Sequence, residues 1–228
     1  MITYEWVQEK FREFTTVLPE VVSIPESTVV DPYDKDTTYY KSVRYLHEFS
    51  GSFHTSHFVK KYIDEILSDL NELTSKQNII DVGCALGHTG LEFVEQNHFV
   101  TFYDFPGIGL LFLEWLKANQ EFDNMTTKPY GSLNDKFKLD KEDKFDIVLA
   151  FDVMEHTGNH LGFLKWLEHL GNKVYLCFPY VDEYFPPYVP RIDEWVDTDA
   201  IIKVIKRRYK NTDFLKVDGR LFAEYEIE

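Results

Sequence analysis

The sequence predicts an α/β fold: a mainly parallel sheet with a C-terminal antiparallel hairpin and helices on both faces, preceded by an N-terminal helical segment. From residue 78 onward, short apolar runs alternate with helical stretches, the pattern of buried parallel strands joined by crossover helices. Before residue 75 no clear buried-strand run occurs, and apolar side chains recur at helical spacing instead. Near the C-terminus two strand-like runs meet at Asp218 and Gly219, residue types that favour a tight hairpin. The chain divides accordingly into a helical segment over 1–75 and a larger domain over 76–228.

In the first segment, helices are predicted over 4–14, 38–49 and 53–73. In the third, Phe58, Tyr62, Ile66, Leu67 and Leu70 repeat at helical spacing. Pro19, Pro25 and Pro32 prohibit a continuous helix over 18–33 and favour extended chain, a tether or a strap across the surface.

In the second segment, strands are predicted over 78–83, 98–104, 125–130, 145–151 and 173–178, with helices over 88–96, 107–119 and 161–170. Residues 136–144 form a charged excursion before the 145–151 strand, whose apolar run is the most continuous. The stretch 179–190 places Tyr180, Tyr184, Phe185 and Tyr188 among prolines. It is too Pro-rich for a helix and too aromatic for a solvated linker, and reads as a loop covering something. Asp197 or Thr198 can cap a helix running through Tyr209, after which strands over 214–217 and 221–227 close the sheet.

Composition narrows the function. The 19 Phe, 14 Tyr and 4 Trp supply enough apolar surface to offset the entropy of ordering 228 residues, which excludes a disordered chain. With 24 Lys and Arg against 39 Asp and Glu, the formal charge of -15 repels a phosphate backbone, so nucleic acid is a poor partner. No apolar run approaches the roughly 20 residues that cross a bilayer. The start at Tyr4, Glu5, Trp6, Glu9, Lys10 and Arg12 lacks the basic and apolar regions of a secretory signal. Cys84 and Cys177 are too few for a disulfide framework. A cytoplasmic protein without membrane attachment is expected.

The strongest local signal is Ile79-Ile80-Asp81-Val82-Gly83-Cys84-Ala85-Leu86-Gly87, a buried strand that runs through an acidic residue into a small-residue turn before a helix. Gly83 and Gly87 permit conformations and close contacts that side chains forbid, and the following helix starts with unpaired amides. Such a turn serves either a ligand or tight packing alone. Asp104 ends the next predicted strand, at the roughly 20-residue spacing where a carboxylate can accept both hydroxyls of a ribose. Alternatively it caps the turn through Phe105, Pro106 and Gly107. A third strand carries Phe151, Asp152, Glu155 and His156 to the carboxyl edge of the sheet, where open α/β sheets bind ligands.

These ordered motifs resemble the class I S-adenosylmethionine-dependent methyltransferases, in particular a branch with Glu-His after the fourth strand. The resemblance spans about 78–227 and implies a Rossmann-like sheet, S-adenosylmethionine as cofactor and transfer of its methyl group. It implies cofactor contacts at Asp81, Gly83, Cys84, Ala85 and Gly87, a ribose contact at Asp104, and adenine packed between Phe105 and Leu133. Backbone near Phe151 would meet the methionine portion. Ala85 stands where the family usually has its second glycine, and Ser132 where it commonly has an acidic partner for the adenine amino group.

A P-loop would need Gly-Lys followed by Ser or Thr, whereas this turn continues Gly87-His88-Thr89. A nicotinamide oxidoreductase would want a Gly-x-Gly-x-x-Gly run, and the glycines here are at 83, 87 and 90. Methyl transfer needs donor and acceptor held in line more than it needs a dedicated catalyst. His156 is the candidate catalytic base for a protonated acceptor, or else a cap that orients its loop. Asp152, Glu155, His156 and His160 have ligand chemistry, but Thr157-Gly158-Asn159 breaks the helix that would align them, so no metal is expected. The basic group Lys203, Lys206, Arg207, Arg208 and Lys210 suits the end of a helix. The aromatic loop and residues 1–75 suggest a small, partly apolar acceptor, although the same rings can pack helices onto the sheet. A non-catalytic scaffold and methylation of a protein substrate remain as alternatives, with an NAD-dependent oxidoreductase a more distant one.

Overall fold

The computed structural model describes residues 2–17, 57–71, 73, 75–104, 106–120, 122–129, 144–157, 159–179, 197–217 and 219–227. The predicted helix over 38–49 and the aromatic loop over 180–195 lie outside these residues. In chain order the elements are α1 (Tyr4–Val17), α2 (His57–Asn71), β1 (Asn78–Val82), α3 (His88–Glu95), β2 (Phe99–Asp104), α4 (Ile108–Gln120), β3 (Met125–Pro129) and β4 (Phe145–Phe151). A single 3-10 turn (Met154–His156) precedes α5 (His160–Leu170), β5 (Gly171–Pro179), α6 (Thr198–Arg208), β6 (Lys210–Val217) and β7 (Arg220–Glu226). The seven strands have the order β3-β2-β1-β4-β5-β7-β6. All pairings with a given register are parallel except those of the C-terminal hairpin, as the sequence predicts.

The chain forms two compact units, 1–77 with 84–130, and 78–83 with 131–228. In the first, β2 pairs with β3 from Val100↔Met125 to Asp104↔Pro129. The apolar stripe of α1, Val7, Phe11 and Phe14, is buried. Its aromatic rings meet those of α4: Phe11 lies edge-on to Phe112 at 5.3 Å, and Phe14 lies 5.7 Å from Phe112 and 5.8 Å from Trp115. On α2, Ile63, Ile66, Leu67 and Leu70 are buried at helical spacing.

In the second unit, β1 pairs with β4 from Ile79↔Ile147 to Val82↔Ala150, and β4 with β5 from Phe145↔Gly171 to Phe151↔Cys177. Only Asp146 on β4 is exposed, and its carboxylate accepts the Asn78 amide at 2.8 Å, fixing where β1 begins. β7 runs antiparallel to β5, from Lys173↔Glu226 to Pro179↔Arg220. Of the two candidate caps for α6, Asp197 takes the position and accepts the Ala200 amide at 3.0 Å.

Among the described residues, two boundaries depart from the sequence reading by three residues or more. Helix α1 extends to Val17, and β6 begins at Lys210 rather than 214. The first half of β6 is polar, with Lys210, Asn211 and Asp213 exposed and a register shift between Lys210 and Asp213, so backbone pairing to β7 rather than an apolar period defines it. No described helix is long and apolar enough to cross a membrane.

Because Phe112 is fully buried against both rings of α1, Phe112→Ala should cost about 3–5 kcal/mol. Chemical denaturation of the variant checks this; a loss under about 1 kcal/mol would mean that α1 is not docked on α4 in solution.

Candidate cofactor site

Backbone conformation singles out the chain that leaves β1. Gly83, Ala85 and Gly87 all have positive φ, at 68°, 49° and 74°. The two glycines suit that region, whereas Ala85 pays a steric cost of roughly 1–2 kcal/mol in it. Its conformation is held by a carboxylate: the Ala85 amide donates to Oδ2 of Asp104 at 2.6 Å. A charge-assisted bond of this kind contributes about 1.5–3 kcal/mol, enough to offset the strain. The start of α4 closes on the same residue, since a Cβ on Gly109 would stand 2.5 Å from the Ala85 carbonyl oxygen.

The turn then closes on itself, with the Gly87 amide donating to the Cys84 carbonyl at 2.7 Å, and the Gly87 carbonyl accepts the Leu91 amide to begin α3. A Cβ on Gly87 would meet Leu113 Cδ2 at 2.7 Å and Phe102 Cε1 at 2.9 Å. Gly87 is the N-cap of α3 and brings no side-chain acceptor to its first amides.

His88 opens α3 and is buried, which pushes its pKa down to about 3 and keeps the ring neutral. Tyr4 stacks on it at 5.1 Å, and Nε2 of Gln8 donates to its Nε2 at 3.3 Å. Helix α1 therefore docks on the residue next to the turn through two side chains one helical turn apart. The sequence reading saw His88 only as a helix start; the i, i+4 spacing of Tyr4 and Gln8 was the available signal.

In the second unit, Asp81 is buried on β1 opposite Leu149, and Phe151 is buried at the end of β4. A Cβ on Gly83 would lie 2.2 Å from Val153 Cγ2, so Val153 rests directly on the Gly83 backbone. Asp152 has φ 53°, its amide donates to the Cys177 carbonyl at 2.8 Å, and its carboxylate accepts from Nη1 of Arg220 on β7. Glu155 is buried on the 3-10 turn that ends with His156. The side chain of His156, and residues Phe105, Ser132 and Leu133, lie outside the described parts. Sequence reasoning named Asp152 only as a possible ligand and missed Val153 and Arg220.

Two changes test this geometry. Ala85→Gly removes the left-handed strain against a smaller entropic cost of glycine, for a net gain of up to about 1 kcal/mol. At this chain length that raises the melting temperature by about 2–4 °C. His88 is depressed in the folded state, so the unfolded chain binds the extra proton between pH 6.5 and about 3. Its contribution is complete above 6.5 and is lost on acidification, at up to roughly 1.4 kcal/mol per pH unit. Denaturation midpoints across that window should fall for wild type and flatten for His88→Gln.

The chain matches no curated protein in sequence. The profile of a methyltransferase domain matches residues 55–218. Among solved structures, the N-terminal domain of EvdMO1 in the presence of SAH and D-fucose is similar with a TM-score of 0.58 at 11% identity, over 73% of this chain and 82% of that one. The PH0226 protein from Pyrococcus horikoshii OT3 gives a TM-score of 0.57 at 16% identity, over 81% and 99% of the two chains. Monomeric WbdD gives 0.56 at 16% identity, with 73% of this chain matching 41% of that longer protein. These likenesses agree with the Rossmann-like sheet, and the profile covers well over half of the chain: the protein belongs to the methyltransferase-domain family, enzymes whose methyl donor is S-adenosylmethionine.

Proposed function

We propose that the protein transfers the methyl group of S-adenosylmethionine to a small, partly apolar acceptor, and that the turn over 83–87 together with Asp104 holds the donor. The observation that carries this reading is the Asp104 carboxylate, placed at the end of β2 and bonded to the amide of Ala85 in the turn. The donor chemistry fits: a carboxylate suits ribose hydroxyls, and glycines at 83 and 87 let a ligand approach the backbone closely. Asp81 and Cys84 belong to the same segment, and the resemblance assigns adenine to Phe105, Ser132 and Leu133 and the methionine portion to backbone near Phe151.

When bound, S-adenosylmethionine would supply a sulfonium-activated methyl group for an acceptor lone pair, the electrons of the carbon–sulfur bond staying with sulfur. The chain's part is to bind, to align and to keep water from the reacting atoms. His156, on the turn after β4, is the residue we assign to accept the proton of a hydroxyl or ammonium acceptor. Residues 1–75 and the aromatic loop over 180–195 supply acceptor selection in this reading.

Calorimetric titration with S-adenosylhomocysteine, beside NAD, tests the donor assignment. We expect micromolar binding of the thioether and no heat with NAD. Asp104→Asn can still accept the Ala85 amide but loses the charge that ribose hydroxyls favour, so affinity should fall about tenfold. Absence of binding to the wild-type protein would reject the reading and leave a non-catalytic scaffold.

A further inference from the structure

We infer that the Asp152–Arg220 ion pair is a positioning device for the methyl-donor turn, acting through Val153 on Gly83. The inference rests on the donor site proposed above. Asp152 sits in the left-handed region at φ 53°, which costs a non-glycine residue of this kind roughly 1–2 kcal/mol and persists only where the surroundings impose it.

Two contacts impose it. The Asp152 amide is bonded to the carbonyl of Cys177 on β5, and its carboxylate is bonded to the guanidinium of Arg220. Arg220 is the first residue of β7, paired opposite Pro179, the last of β5. The ion pair thus ties the exit of β4 to the ends of β5 and β7. Both side chains are mostly buried, 22% and 26% exposed, where a charge-assisted bond is less screened than on an open surface.

The next residue delivers the consequence. With Asp152 fixed, Val153 is directed onto the backbone of Gly83, its Cγ2 standing 2.2 Å from where a Cβ would be. Gly83 is the first left-handed residue of the turn and is peptide-bonded to Cys84, so its conformation governs how the chain enters the turn. Without the guanidinium, Asp152 has one constraint fewer against relaxing from its strained φ, and Val153 moves with it. Arg220 and Asp152 need touch neither donor nor acceptor for this role.

The test compares wild type with Arg220→Met, Arg220→Lys and Val153→Ala in S-adenosylhomocysteine titrations, in ligand-free melting temperature and in amide hydrogen exchange over 83–87. Arg220→Met should weaken binding about tenfold and speed exchange in the turn, and Arg220→Lys should recover to within about threefold. Val153→Ala should weaken binding and speed exchange with the ion pair left intact. A lowered melting temperature with affinity within about twofold of wild type in Arg220→Met would overturn the inference and leave a structural staple. If Arg220→Met does not fold, the Lys and Val153→Ala results decide by the same criteria. Failure of wild type itself to bind would instead reject the donor site on which the inference rests.

Discussion

The amide of Ala85 and the carboxylate of Asp104 form the bond on which the described turn depends. A turn with positive φ at 83, 85 and 87 is not a conformation an alanine would choose. The strain at Ala85, roughly 1–2 kcal/mol, is of the same size as the contribution of one hydrogen bond, so an acceptor at the end of β2 decides whether the turn holds. Its closure sets the direction in which α3 leaves, places His88 in the interior, and gives α1 something to dock on. The same carboxylate is also the group proposed to face ribose, so structure and chemistry at Asp104 are not separable by simple truncation.

Burial of His88 shows how this region tolerates a titratable ring. Tyr4 stacks on the ring and Gln8 bonds its Nε2, while burial removes the water that a positive charge would need. The ring is neutral for that reason, and the chain remains strongly acidic overall at -15. Lys60 offsets part of that excess locally by reaching the mostly buried Glu92 and the exposed Asp64, the second of which contributes little. Cohesion in this unit comes instead from the aromatic contacts between α1 and α4.

What could be read from sequence follows from where the signal is stored. β4 was legible to the residue because it is buried on nearly every position and so reads as one apolar run. The polar half of β6 was not, since an edge strand is defined by backbone pairing that leaves no periodic trace. The segment from Asp81 to Gly87 and the carboxylate at Asp104 stood out as local patterns. The contacts that shape the site did not: Asp152 with Arg220 and Val153 with Gly83 join residues far apart in sequence with no local trace, and the spacing of Tyr4 and Gln8 marks a helix face without naming His88 as what it meets.

The glycines themselves need a more careful reading than their spacing invites. At Gly83 the obstacle to a side chain is Val153, and at Gly87 it is Leu113 and Phe102, so both positions are demanded by packing whether or not a ligand is bound. Glycine spacing alone would therefore be found in a scaffold of the same fold. The feature that packing does not require is a carboxylate at the end of β2, because a neutral acceptor could hold the Ala85 amide with less desolvation cost. A full negative charge there is most useful if polar hydrogens of a ligand arrive beside it. The chemical argument for a donor site thus rests on Asp104, with the glycine pattern as the packing condition that lets the turn form beside it.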